Sequence, residues 1–355
     1  MHTKRSLSSA STQFQFSRVK LFLFVLLFIS LSALVPWTIQ RELEGQFSQL
    51  WDKLATASFI LPALALLFIY YLSDALRLWF ALRAVGRKQA FLSMIPMIFI
   101  NLLFSNVTPM ATGGGVAQVW FLHKQGVQVG AAVAATTLRT LMASMMIFIP
   151  APLVLFSIKG LSDSSLSSRW GTSLAIFALL YALFFIILLW RPRWLASAVD
   201  KGLALICMTG MLSQSRRHRW RLRFLRELVR FTHYFRIFFK GKPVNSLFAV
   251  ISTMVFLLSL FSFPALILWT LGYSFNYFTV LMYMLVNTFV MYFAPTPGAA
   301  GVAEGVFALL FATVVDSVDL FVLVVGWRFL TVHLGMLIGV PVSLYAIFHQ
   351  EQKLG

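Results

Sequence analysis

One cysteine, Cys207, stands among 355 residues, so an internal disulfide framework is excluded. Charge is scarce: Asp, Glu, Lys and Arg together make 11% of the chain, and only 11 residues are acidic. Few acids leave few candidates for a catalytic carboxylate pair. No Gly-x-x-x-x-Gly-Lys-Ser/Thr loop occurs, which excludes the P-loop mode of nucleotide binding. No histidine pair has zinc-binding spacing. Neither a metal nor any other cofactor is expected.

Apolar residues fill the space that charge leaves. They make 59% of the chain, and the mean hydropathy is +0.84. Such a chain exposes its apolar surface to lipid rather than water. The 29 basic residues give a formal net charge of +18. In a soluble protein that balance would suggest nucleic acid. Beside lipid it fits anionic headgroups at a cytoplasmic membrane face, and no nucleic-acid partner is expected.

Apolar runs of about 20 residues mark spanning helices. The chain reads as a basic tail (1–20), a first membrane half (21–190), a basic loop (191–242), a second membrane half (243–349) and a short tail (350–355). Spans are expected near 21–37, 55–72, 130–157, 172–190, 246–271 and 320–346. A signal peptide is the rival reading of 21–37, but Pro36-Trp37 replaces a clean cleavage site. Asp74, Arg77, Arg83, Arg87 and Lys88 are assigned to the loop after the second span. The basic loop carries an aromatic-rich stretch, Phe224 to Phe239, spaced for a helix on the membrane surface. Lys/Arg asymmetry places both termini and residues 191–242 in the cytoplasm, with Asp316 and Asp319 outside.

Two segments break the apolar pattern in the same way. Asn101–Gln118 reads NLLFSNVTPMATGGGVAQ, and Asn287–Glu304 reads NTFVMYFAPTPGAAGVAE. Laid together without gaps, they share Asn101/Asn287, Pro109/Pro295 and Gly-Val-Ala at 115–117 and 301–303, ending on Gln118 against Glu304. The expected fold is an all-α polytopic membrane protein with two inverted halves, each holding a broken-helix hairpin. The inversion follows from three full crossings between the copies. Whether the hairpins turn back at mid-depth or cross fully is open at this level.

Proline removes a backbone donor and glycine permits close approach. Within a membrane such breaks belong where protein or water satisfies the freed groups. Matched breaks in two inverted halves point to a transporter's binding site. Pro109, Gly113, Gly114, Gly115, Pro295, Pro297, Gly298 and Gly301 would shape it, each helix after a break aiming its positive end inward. Arg139 and Arg328 lie inside spans, 24 residues after Gly115 and 27 after Gly301. Buried arginines face interiors, and their guanidinium suits phosphate. Glu304 would couple transport or balance charge. Asn101 and Asn287 would bond across helices or cap the breaks, with substrate contact the lesser role.

The motif set NVTPMATGGG, Arg139, the basic middle loop, APTPGAAGVAE and Arg328 resembles the flippase-like membrane domain of lysylphosphatidylglycerol synthases and its stand-alone relatives. The likeness covers nearly the whole chain. The family's Pro-x-Pro-Gly-Gly-x-Gly-x-x-Glu pattern is met at Pro295, Pro297, Gly298, Gly301 and Glu304, with Ala299 in place of the second glycine. The resemblance implies a translocating membrane domain without the aminoacylating soluble domain, in a bacterial cytoplasmic (inner) membrane. The expected activity is flipping of a polar, phosphate-bearing lipid, passive or ion-coupled. The alternatives are a non-transporting partner of a lipid-modifying enzyme and an intramembrane lipid-modifying enzyme. Expected partners are membrane lipids, with a second copy of the chain or a lipid-synthesis enzyme as further possibilities.

Overall fold

The computed structural model describes residues 56–151, 192–208 and 243–351, with scattered positions between these segments. The expected spans at 21–37 and 172–190, the tail 1–20 and the stretch 224–239 lie wholly or largely outside the described residues. Among the described residues every regular element is helical. Four helices among the described residues are long and apolar enough to cross a membrane: α1 (Ala57–Ala84), α4 (Val129–Phe148), α6 (Pro243–Leu271) and the continuous unit Ser317–Ala346. The last comprises α9 (Ser317–Arg328), a wider π turn (Phe329–His333) and the start of α10 (Leu334–Glu351).

α1 and α6 pack antiparallel. Phe80 stacks on Phe248 and Tyr70 on Phe256, each at 5.1 Å between ring centres. Toward the other end an open apolar groove of about 430 Å³ brings Pro62 and Ile69 beside Ser262 and Trp269. The carboxyl end of α1 therefore lies beside the amino end of α6.

α1 runs twelve residues beyond the expected limit at residue 72, ending at Ala84. Asp74 and Arg77, expected in a loop, are buried within it. Their charges do not end the span because they meet one turn apart, Arg77 Nε lying 2.5 Å from Asp74 Oδ1. The run Leu78-Trp79-Phe80-Ala81-Leu82 then continues the apolar pattern.

Both motif copies form hairpins. In the first, α2 (Met94–Val107) follows a 3-10 turn (Phe91–Ser93) and turns into α3 (Thr112–Lys124). In the second, α7 (Tyr277–Met291) turns into α8 (Val302–Phe311). At about 1.5 Å per residue these helices reach about 15–23 Å, short of the ~30 Å hydrocarbon core. The base of each hairpin is clamped. Arg87 donates to Gln128 Oε1 at the first, and the Tyr273 hydroxyl donates to Asp319 Oδ2 at 2.7 Å at the second. Each hairpin thus leaves and returns at one end of the α1–α6 pair. The first starts beyond the carboxyl end of α1 and the second beyond that of α6, so they start at opposite ends.

Each hairpin has its own apolar core. One core joins α2 and α3 to α1, α4 and the start of α10, and the other joins α7 and α8 to α1, α6 and α9. Small residues bring the helices of the first core close. A Cβ on Gly339 would lie 2.6 Å from the Phe99 carbonyl oxygen, and one on Gly335 would lie 2.7 Å from Leu102 Cδ1. This Gly-x-x-x-Gly face seats α10 on α2, the packing available to helices that gain little from hydrophobic burial in lipid. α5 (Pro192–Met208), amphipathic and carrying exposed Trp194, was not anticipated as a separate helix.

Candidate functional site

The tips of the two hairpins meet. Pro109 and Pro297 pair in a short antiparallel bridge. The bridge joins Pro109 to Pro297 rather than to Pro295, its counterpart in the ungapped repeat. The structural register matches Thr108-Pro109-Met110-Ala111 with Thr296-Pro297-Gly298-Ala299, a Thr-Pro-x-Ala signature that the sequence comparison passed over. In both copies the proline is followed by two left-handed residues: Met110 and Ala111 at φ 54° and 53°, Gly298 and Ala299 at φ 58° and 56°. Left-handed backbone costs a residue with a Cβ about 1–2 kcal/mol. Three such residues lie at these two tips, where strain commonly accompanies function.

Threonines staple the tips. Thr108 Oγ1 donates to the Phe104 carbonyl at 2.7 Å and accepts from the Gly113 amide at 2.8 Å, joining the end of α2 to the start of α3. Thr296 Oγ1 donates to the Ala300 carbonyl at 2.9 Å. Neither threonine was singled out from sequence, although Thr-Pro occurs in both motifs.

The glycines have distinct roles. Gly113, Gly114 and Gly115 do not precede the helix, as expected, but form the first turn of α3. A Cβ on Gly114 would lie 1.9 Å from Ser105 Oγ and 2.9 Å from the Asn101 carbonyl oxygen, so this glycine permits the close α2–α3 contact. Gly115 faces nothing within 4 Å among the described residues, and no contact there explains it. Gly301 stands before α8 at φ 83°, a conformation that favours glycine. Pro295, Pro109 and Gly301 are exposed, whereas Pro297 is buried.

Each half holds a buried ionic cluster, and that of the second half reaches its tip. In the second half, Arg328 Nε donates to Glu304 Oε1 at 2.6 Å and Arg328 Nη2 donates to the Gly298 carbonyl at 3.1 Å. The other carboxylate oxygen of Glu304 accepts the Gly301 amide at 2.7 Å. Glu304 therefore occupies the positive end of α8 itself, where a ligand anion was expected. His333, in the π turn, holds the Arg328 carbonyl through Nδ1 at 3.1 Å.

In the first half, Arg139 grips Asp74 through Nη2 at 2.6 and 2.7 Å to the two carboxylate oxygens and through Nε at 3.2 Å. Arg139 Nη1 donates to Gln118 Oε1 at 3.1 Å, and Gln118 Nε2 donates to the Met97 carbonyl at 3.1 Å. Repeat-equivalent Gln118 and Glu304 thus each contact an arginine of their own half. Gln118 brings no charge, and Asp74 from α1 supplies the missing carboxylate. Asp74 and Arg77 are the site residues that sequence reasoning missed. Their signal was an Asp-x-x-Arg step within an apolar run.

Arg139 and Arg328, expected to meet a headgroup, are both held by protein acids in this conformation. Asn287 is fully buried, and neither its Oδ1 nor its Nδ2 has a partner among the described residues. Asn101 is half-buried against Gly114. No group of three or more His, Cys, Asp or Glu side chains able to hold a metal occurs among the described residues.

Comparison with known proteins agrees with this architecture. A UPF0104 membrane protein from Archaeoglobus fulgidus is 26% identical over 330 residues, covering 92% of this chain and 97% of that relative. Residues 21–339 match the family described as lysylphosphatidylglycerol synthase TM region. Spanning helices, paired breaks and this match over most of the chain lead to one assignment: the chain is an integral membrane protein of the lysylphosphatidylglycerol synthase transmembrane-region family.

Proposed function

We propose that the chain translocates a polar, phosphate-bearing lipid across a bacterial cytoplasmic membrane, at a site between two halves inverted in the bilayer. The observation that carries this reading is the bridge between Pro109 and Pro297. It brings two strained breaks together between hairpins that start at opposite ends of the α1–α6 pair. Irregular backbone at membrane depth belongs beside a cavity or a substrate. The ionic clusters packed against the hairpins give a headgroup polar partners that lipid tails cannot offer.

In this mechanism the headgroup slides past the tips while its acyl chains stay in lipid. Arg139 and Arg328 exchange protein carboxylates for the headgroup's phosphate, and Asp74 and Glu304 take them back once it has passed. An exchange of ion pairs keeps each buried arginine partnered throughout, which avoids the cost of a bare charge. Asp74 and Glu304 are both bound to arginine, so neither is poised as a nucleophile, which supports transport over lipid modification. Both termini and residues 191–242 lie in the cytoplasm and Asp316 and Asp319 outside, following the Lys/Arg bias.

Reconstitution into liposomes with headgroup-labelled phospholipid tests the proposal. Accessibility of the label to a membrane-impermeant quencher should equilibrate faster than in protein-free liposomes, with the lipid recovered unmodified. Recovery of a modified lipid would favour an enzyme, and movement at the protein-free rate would remove the translocation reading.

A further inference from the structure

The two ionic clusters differ in net charge. Glu304 and Arg328 balance. In the first half Arg77 and Arg139 share the single carboxylate of Asp74, two positive charges against one negative. Arg77 is 6% exposed, and its Nη1 is buried without a hydrogen-bond partner among the described residues. Its guanidinium carbon lies 3.8 Å from the centre of the Phe256 ring, which gives partial compensation but no counter-charge. A buried guanidinium that must share its carboxylate with a second arginine is incompletely compensated, and an added anion would complete the balance.

We infer that Arg77 is an anion site, with its free Nη1 directed to one oxygen of a phosphate group. Tyr71, one turn before Asp74 on α1, also has a buried hydroxyl with no partner among the described residues. The phosphate comes from a lipid headgroup or from solution. The lipid form of the inference rests on the translocation reading and makes Arg77 the headgroup's first hold.

Melting of the full-length protein, stripped of lipid in dodecyl maltoside, tests the inference without any transport assay. The additions are inorganic phosphate, phosphatidylglycerol, and diacylglycerol as a lipid without phosphate, all at constant ionic strength. Phosphatidylglycerol should raise the melting temperature by about 3 °C, and diacylglycerol should not. A rise with inorganic phosphate as well would assign a free-anion site, and a rise with phosphatidylglycerol alone would assign a headgroup site. Arg77→Gln removes the excess charge and leaves Asp74 paired with Arg139. It should melt no lower than wild type without phosphate and lose the phosphate-dependent rise, whereas Arg77→Lys should keep part of it. No phosphate-dependent rise in wild type, an equal rise in Arg77→Gln, or a marked loss of stability in Arg77→Gln without phosphate would each overturn the inference. A rise in melting temperature without lipid movement would keep the anion site and reject translocation, so the two failures are distinguishable.

Discussion

Pro109 and Pro297 face each other across the meeting point of two broken helices, although 188 positions separate them in the chain. Residues paired in this way have Cβ atoms close enough for a disulfide. In a protein with Cys207 replaced by Ser, Pro109→Cys and Pro297→Cys together should cross-link under mild oxidation. Gel mobility with and without reductant would read it. Pro109→Cys paired with cysteine at Pro295 should cross-link less, because the structural register joins the other proline.

The glycine run of α3 separates packing from propensity. Gly114→Ala would place a Cβ 1.9 Å from Ser105 Oγ and 2.9 Å from a backbone oxygen that cannot yield, so the hairpin must open. It should lower the melting temperature by several degrees, a loss of about 1–3 kcal/mol. Gly115→Ala meets nothing within 4 Å and gains helix propensity of up to ~1 kcal/mol. Opposite signs from adjacent residues in one melting experiment would confirm the α2–α3 contact, and equal effects would contradict it.

The ionic cluster of the first half predicts an asymmetry. Asp74→Asn leaves Arg77 and Arg139 buried together without a carboxylate, at a cost of about 3–5 kcal/mol. Asp316→Asn removes an exposed acid and should stay within about 0.5 kcal/mol of wild type. Detergent-extracted Asp74→Asn should aggregate or melt early, while Asp316→Asn should behave as wild type.

Much of this architecture is legible in the sequence. Composition alone fixes a helical membrane protein, and proline and glycine in otherwise apolar runs locate both hairpins. The Gly-Val-Ala match also pairs Gln118 with Glu304, which the structure places against Arg139 and Arg328 respectively. Two things were hidden for physical reasons. Asp74 and Arg77 read as loop residues because hydropathy counts each charge singly, whereas an ion pair inside a helix cancels them. The Thr-Pro-x-Ala match was missed because α3 begins one turn earlier, relative to Gly-Val-Ala, than α8 does. The register at the tips is therefore offset by two residues from that of the following helices, and an ungapped comparison can satisfy only one of them. Asn287 carries a further lesson: periodicity finds a polar residue in an apolar helix, but only the fold reveals that its amide has no partner.

Membrane orientation makes its own prediction. In the Cys207→Ser background, Lys201→Cys lies on exposed α5 and Ser317→Cys on the exposed start of α9. A membrane-impermeant thiol reagent added to intact cells should label Ser317→Cys alone, and Lys201→Cys should react only after lysis. Labelling of both from one face would remove the inverted arrangement on which the translocation mechanism depends.

The most direct test of that mechanism is the rate of lipid movement measured with Glu304→Gln beside wild type. Glu304 joins the cap of α8 to Arg328 by accepting at both carboxylate oxygens, and glutamine keeps the shape but only one of the two acceptors while removing the charge. In reconstituted liposomes, wild type should move a headgroup-labelled phospholipid faster than protein-free liposomes, and Glu304→Gln should be slowed at least tenfold per folded, inserted molecule, with a lower melting temperature because buried Arg328 loses its carboxylate. A folded Glu304→Gln protein that moves lipid at the wild-type rate would contradict ion-pair exchange as the means of passage.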